Sequence, residues 1–428
     1  MVNSGIPWIG EIPKNWKIVR NKDVFSNSKT LVGENWNNTQ LLSLTTKGIK
    51  PVAIGSTSGK VPDSYETYQV VEKDNIVMCL FDLDCSAVFS GLSPIHGMIS
   101  PAYKTLTVKN GFLPDFYAKW FDYIFDGRKF MFLSKNIRYS LTYDEFASLQ
   151  VVAPSIEEQQ KIASFLDRKC AEIDEMIALQ EKIVEELKAY KQSVITEAVT
   201  KGLNPDVPMK DSGIEWIGEV PEHWMMKPLK YCFNRRSEKN NPIRTTERLS
   251  LSIDKGVTLY SEKTTNLDRF KDDFTQYQLA YPNDIVLNCM NMIVGAVGLS
   301  KYLGCVSPVY YVIYPSYSEI DAEYYSYLLN TPTIRGVYHS YGKGIYAIER
   351  GEGRVNTCRL KVSYDDFGRF DIPIPPVKEQ KNIVKYITTK CTEIDNLISI
   401  KLSKIDSLKE YKKSIIYEYV TGKKEVIE

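Results

Sequence analysis

One long, uninterrupted stretch occurs twice in this chain, and that duplication limits what it can fold into. Pro154 to Gly202 and Pro375 to Gly422 are related by an offset of 221 residues, and 18 of 43 positions from Glu158 to Thr200 are identical in the second copy. The first copy has no interior Pro or Gly, so nothing local breaks a helix between its ends. Ser155 and Glu158 have the S-x-x-E spacing of a capping box at the first helix's start. A helix of about 46 residues spans roughly 70 Å, longer than an ordinary domain is wide. Apolar residues recur at heptad spacing: Leu166, Ile173, Leu187 and Val194 in one series, Met176, Ile183 and Tyr190 in the other. In the second copy the series are Ile387, Ile394, Leu408 and Ile415, then Leu397 and Tyr411. Gln180 and Lys401 put a polar residue at the same core position of each copy, where such residues set register and partner more than they add stability. Two narrow apolar stripes are most simply buried against each other, as one coiled coil closed within one chain.

A second repeat opens each half. SGIPWIGEIPKNW (4–16) and SGIEWIGEVPEHW (212–224) agree at 9 of 13 positions with an offset of 208. Pro and Gly exclude a helix there, and the tryptophans Trp8/Trp216 and Trp16/Trp224 are suited to pin an extended segment onto a neighbour. Between anchor and helix lie divergent segments that share landmarks. Asp74-Asn75-Ile76-Val77 answers Asn283-Asp284-Ile285-Val286, a turn feeding a buried strand, and Ser100-Pro101 answers Ser307-Pro308. Leu141-x-Tyr143-Asp144-x-Phe146 answers Val362-x-Tyr364-Asp365-x-Phe367, with Arg138 and Arg359 at matched positions just ahead. Amphipathic stretches at 113–125 and 319–330 suit short helices. Strands mixed with a helix or two predict an α+β fold for each segment. The expected organisation is a first domain with its anchor at 1–153, a long helix at 154–202, a second domain at 203–374, and a second long helix with its tail at 375–428. The offset grows from 208 to 221, so the second divergent segment carries 13 extra residues (221 − 208), placed between Tyr341 and Thr357.

Composition narrows the chemistry. The formal net charge is +1 with 25% charged residues, and no apolar run approaches the roughly 18 residues of a membrane span, which predicts a cytoplasmic protein. Eight cysteines without CxxC pairs and only three histidines argue against a metal site and for reduced, mostly buried thiols. There is no GxxxxGK[ST] phosphate loop and no HExxH pair, so catalysis is not expected from this chain. The loops of the divergent segments instead mix cations with Tyr, Ser, Thr and Asn, a composition suited to phosphates and base edges. Candidates in the first segment are Lys47, Lys50, Ser56, Thr57, Lys60, Lys135, Arg138 and Tyr139. Those in the second are Arg235, Arg236, Lys255, Lys263, Lys343, Tyr346, Arg350, Arg354 and Arg359.

The paired WIGEIP/WIGEVP anchors, the P-x-x-E-E-Q and P-x-K-E-Q helix starts, and the helix ends EAVTKG and EYVTGKKEV together resemble the specificity subunits of type I restriction–modification systems. The resemblance implies two pseudo-symmetric target recognition domains separated by antiparallel helices, each domain binding one half of a split, asymmetric site in double-stranded DNA. It implies that the paired helices set the half-site spacing and dock two modification (methyltransferase) subunits, with restriction (motor-nuclease) subunits joining the complex. It implies no cofactor on this chain, S-adenosylmethionine on the modification subunits, and ATP with Mg on the restriction subunits. Two other readings stay open at this point: a recognition module for another type of nuclease or methyltransferase, and a coiled-coil scaffold without a DNA role.

Overall fold

A computed structural model describes residues 1–55, 64–126, 128–133, 139–215, 217–253, 255–263, 273–345, 349–350, 354–355 and 359–427. The chain forms two compact units, residues 1–182 with 402–428, and residues 183–401. The boundaries fall inside the long helices Ile156–Lys201 and Val377–Val420, so each unit holds part of both.

The first unit is built on a four-stranded antiparallel sheet with the order Phe25–Ser28, Lys104–Val108, Ile76–Met78, Ser90–Leu92. Asp74 enters it through a left-handed turn with φ 67°, a conformation that Asp and Asn tolerate better than most residues. The hairpin Leu42–Thr45/Gly48–Pro51 and the pair Gln69–Val71/Gly97–Ile99 lie beside the sheet. Gly97 has to be glycine, because a Cβ there would stand 2.6 Å from the carbonyl oxygen of Gln40 and 2.7 Å from Leu42 Cγ. The helix Pro114–Asp126 buries Phe116, Tyr117, Trp120 and Phe121. Phe25 meets Tyr117 edge to face at 5.2 Å, and the Tyr117 hydroxyl donates to the Val152 carbonyl at 3.1 Å. Lys17–Arg20 pairs with Gln150–Ala153, so the domain enters and leaves through one two-stranded neck.

The second unit repeats this plan with different residues. Its sheet order is Phe233–Arg236, Tyr310–Pro315, Ile285–Asn288, Val297–Leu299, entered through Asn283 at φ 69°. The hairpin Leu249–Ser252/Gly256–Leu259, the pair Gln278–Ala280/Gly304–Val306 and the neck Met225–Pro228/Asp371–Ile374 occupy the corresponding places. Phe233 meets Tyr325 at 5.3 Å, and the Tyr325 hydroxyl donates to the Pro373 carbonyl at 2.9 Å. Around Tyr341–Thr357, where the surplus is expected, the strands Lys343–Ile345 and Arg359–Lys361 pair, as do Glu349–Arg350 and Arg354–Val355.

In each unit the parts of the two long helices run antiparallel. Phe165 meets Tyr419 at 4.5 Å and Asp174 meets Lys412 in the first unit; Lys191 meets Asp395 in the second. Leu166, Ile173, Val194, Ile387, Ile394 and Ile415 are buried, while Leu187, Leu408, Gln180 and Lys401 are half-buried. The second heptad series differs from the sequence expectation. Met176 (43% exposed), Tyr190 (57%), Leu397 (46%) and Tyr411 (55%) face outward, and Ile183 is only half-buried. The seam instead runs through Cys170, Ile177, Val184 and Ala198 on one helix and Cys391, Ile398 and Ile405 on the other. A heptad stripe alternates steps of three and four, so the partner series could lie on either side of Leu166 and Ile173. The four-residue step passes through Lys191 and Lys412, which hide it from an apolar count. Both lysines lay their stems along the seam and send the ammonium to an aspartate.

Candidate nucleic-acid interface

Each domain is joined to its helices by a junction that uses the same residue types twice. At the start of the first helix, Ser155 Oγ accepts from the Glu158 amide at 3.3 Å; the Glu158 carboxylate, expected to complete a capping box, lies 3.5 Å from Asn15 Nδ2. In the second unit the equivalent Glu379 accepts from Trp224 Nε1 at 3.2 Å and contacts His223 Nε2 at 2.9 Å. The anchor tryptophans close against the glycine that ends the other helix. A Cβ on Gly422 (φ 69°) would stand 3.0 Å from Trp16, and one on Gly202 (φ 77°) 3.4 Å from Trp224. Only glycine combines that left-handed cap with so close an approach.

One pair of junction residues escaped the sequence reading. Gln159 is fully buried; its Oε1 accepts from the Leu113 amide at 2.8 Å and its Nε2 donates to the Pro154 carbonyl at 2.9 Å. Gln380 does the same with the Asp321 amide at 2.8 Å and the carbonyls of Glu319 and Pro375 at 2.9 and 2.7 Å. The amide side chain satisfies a donor and acceptors at once, which no other side chain of that shape does. Its identity in both copies was the available signal.

The junctions fix which surface each domain leaves free. Lys47 and Lys255 sit in matched hairpin turns, both exposed, each turn stabilised by the preceding Thr45 or Ser252 hydroxyl accepting from the lysine's amide. Lys50 is exposed on the same hairpin as Lys47, and Lys263 is exposed after the turn Tyr260–Glu262. Tyr139 is exposed at φ 45°, its carbonyl taken by the Leu83 amide at 3.1 Å. Lys343 is exposed, with Asp366 no nearer than 3.9 Å. Ser56, Thr57, Lys60, Lys135, Arg138 and Tyr346 lie outside the described residues. Arg350, Arg354 and Arg359 are placed by their backbones in the strands of the 343–361 region, and their side chains lie outside what is described.

Arg236 and Arg235 have opposite fates. Arg236 reaches the buried Asp284 through Nε at 2.6 Å and Nη2 at 3.0 Å, and lies over Tyr281 and Tyr314 at 4.4 and 4.5 Å. Hydrogen bonding to Asp284 raises the guanidinium's pKa further. It is a structural ion pair and leaves the set of candidate DNA contacts. Asp284 is 48 residues away in sequence, so adjacency to Arg235 was misleading. Arg235 lies over Tyr311 at 5.2 Å and Tyr364 at 4.8 Å. Burial pushes the Tyr311 hydroxyl up to about 12 and raises Tyr364 as well, with Arg235 pulling both the other way.

Residues 13–189 match the model of the type I restriction modification DNA specificity domain. The chain is also similar to the type I restriction enzyme MjaVIII specificity subunit of Methanocaldococcus jannaschii, at 23% identity over 83% of this chain and 80% of that one. Both matches are to type I DNA specificity proteins. A putative MjaX specificity subunit from the same organism is 25% identical over 66% of this chain and 61% of the relative. The specificity-subunit fold agrees with two solved structures. One comes from a study of complex assembly and conformational transition in a type I R-M system, with 13% identity, 96% and 98% coverage and a TM-score of 0.67. The other is the HsdS subunit from Thermoanaerobacter tengcongensis, with 14% identity, the same coverage and a TM-score of 0.52. No helix among the described residues is long and apolar enough to cross a membrane.

Proposed function

We propose that this chain is the non-catalytic, sequence-reading subunit of a type I restriction–modification complex, each of its two domains binding one half of a split, asymmetric site in double-stranded DNA. One observation carries this: the two domains share sheet order, neck and helix junction, while the loops and hairpins they leave free differ in length and cation placement. A repeated scaffold with unlike free surfaces suits two readers of two unlike half-sites. The matched lysines Lys47 and Lys255, with Lys50, Lys263, Lys343 and Tyr139, are proposed DNA contacts; so are the candidates outside the described residues.

The helices are proposed to dock two modification subunits and to set the half-site spacing. Met176, Leu179 and Tyr411 in the first unit, and their repeat equivalents Leu397, Ile400 and Tyr190 in the second, are large apolar or aromatic side chains more than 40% exposed. Met176, Tyr190, Leu397 and Tyr411 each precede a seam position by one residue, so they line a flank beside the seam. Equivalent flanks suit two copies of one partner. S-adenosylmethionine and ATP with Mg are assigned to the modification and restriction partners. The experiment is reconstitution: the chain with its modification subunit and S-adenosylmethionine methylates adenine at a bipartite site that methylome mapping reads out. Methylation or cleavage by the purified chain alone contradicts the proposal.

A further inference from the structure

Arg235 is the one candidate cation whose surroundings hold it in place without neutralising it among the described residues. It stands on the edge strand Phe233–Arg236, opposite Ile313. Tyr311 and Tyr364, over which its guanidinium lies, meet edge to face at 5.3 Å and 75°. The Tyr311 hydroxyl donates to the Val362 carbonyl at 2.8 Å, and the Tyr364 ring packs on Phe367 at 6.1 Å, at the start of a helix capped by Ser363 Oγ, which accepts from the Asp366 amide at 3.1 Å. The neighbouring arginines are neutralised, Arg236 by Asp284 and Arg244 by Glu238 at 2.7 Å. Arg235 is exposed and has no carboxylate within 4.0 Å among the described residues; Asp365 acts on both tyrosines without pairing to it. Lys361 lies in the same neighbourhood, both cations bearing on the Cys289 thiol. The matched residue in the first domain is the neutral Asn27 (235 − 208), so this cation serves one domain only.

We propose that Arg235 is a DNA-positioning residue of the second domain, its guanidinium braced by Tyr311 and Tyr364 to grip a backbone phosphate of the duplex. This rests on the reading of the chain as a DNA-binding specificity subunit. A guanidinium held against aromatic rings, with no carboxylate on it, keeps N–H donors for a ligand, and its fork matches two phosphate oxygens. A cation already immobilised loses little further freedom on binding, unlike a lysine at a loop tip. Its seat on a sheet edge, short of any loop tip, suits the backbone better than the floor of a groove.

The test is a salt series of duplex binding by the full chain, with mixed-sequence DNA and with site-containing DNA. Arg235→Ala weakens binding to both by roughly ten-fold and lowers the salt slope by about 0.9. Arg235→Lys keeps the slope, because the charge stays, but loses several-fold in affinity, because the fork and the ring contacts go. Tyr364→Leu behaves like Arg235→Lys. Circular dichroism melting of each variant identifies any loss due to unfolding, and the lysine variant decides the question if the alanine variant does not fold. Wild-type affinity and slope in Arg235→Ala, or wild-type affinity in Arg235→Lys, overturns the assignment. A changed base preference with an unchanged slope overturns it too, in favour of base contact. If the wild-type chain itself shows no salt-dependent duplex binding, the DNA-binding reading fails instead.

Discussion

Lys412 Nζ stands 2.7 Å from both carboxylate oxygens of Asp174, and 221 residues away in the repeat Lys191 Nζ makes the same contact with Asp395 at 2.8 and 2.7 Å. The repeat thus places the lysine of one helix on the aspartate of the other in each unit. Leu or Ile in place of these lysines would bury more apolar area but would fit several registers equally. A lysine whose ammonium must meet an aspartate fits one. The aspartates are more than half exposed, so the pairs are worth at most about 1 kcal/mol each, and their use is alignment.

Asp174→Lys therefore costs about 1 kcal/mol or less in urea denaturation, and the charge-swapped double variant Asp174→Lys/Lys412→Asp recovers most of it. A double-mutant cycle checks this. Additive effects of the two substitutions would mean that the pair does not couple.

The anchors bear a larger share of stability. Trp224 is fully buried and Trp16 is 5% exposed, each against the glycine that ends a helix. Trp224→Ala or Trp16→Ala is expected to cost about 3–5 kcal/mol, as large-to-small changes at buried aromatic positions do. Trp224→Ala leaves Glu379 with His223 alone, whereas Trp16 Nε1 has no hydrogen-bond partner among the described residues, so Trp16→Phe is the milder of the two Phe substitutions. Chemical denaturation of the four variants measures both differences.

Gln380→Leu leaves the Asp321 amide and the carbonyls of Glu319 and Pro375 without their partner and should cost about 1–3 kcal/mol. Hydrogen exchange at the Asp321 amide should accelerate more than at the sheet amides. Gln159→Leu should do the same to the Leu113 amide in the first unit.

What the sequence disclosed and what it concealed follow from range. The duplicated helices, the anchors and the turn Asp74/Asn283 are short-range patterns repeated at fixed offsets, and they were readable. The seam's second series was not, because Lys191 and Lys412 look like surface residues until Asp395 and Asp174 are placed beside them. Arg236 looked like a free cation for the same reason, its partner Asp284 being remote in sequence. Gln159 and Gln380 were visible as identical residues, yet their role depends on Leu113 and Asp321, brought near only by the fold.

Partner docking separates from folding by substitution on the flank. Met176→Asp with Tyr411→Asp should leave thermal stability near wild type, since both side chains are exposed, and abolish binding of one modification subunit. Adding Leu397→Asp and Tyr190→Asp should abolish the second. Sedimentation of the mixed subunits reads the stoichiometry directly, and two bound subunits on the fourfold variant would move the docking surface elsewhere.

The neck makes the last prediction specific about where to cut. Lys17–Arg20 pairs with Gln150–Ala153 in register Lys17↔Ala153 to Arg20↔Gln150, so a domain taken as residues 17–153 carries both neck strands with it. Cutting between the strands would leave one without its partner and expose the ladder hydrogen bonds. Gln159, the anchor tryptophans and both helices stay behind, and the Leu113 amide that Gln159 holds is replaced by the donor segment's own backbone amide at that place. Exchanging 17–153 for the corresponding segment of a relative should therefore give a folded chain whose complex methylates a site with one new half, the other half and the spacing unchanged. Methylome mapping of cells carrying the exchanged chain reports all three quantities at once. A change in both halves together would mean that the domains do not read independently.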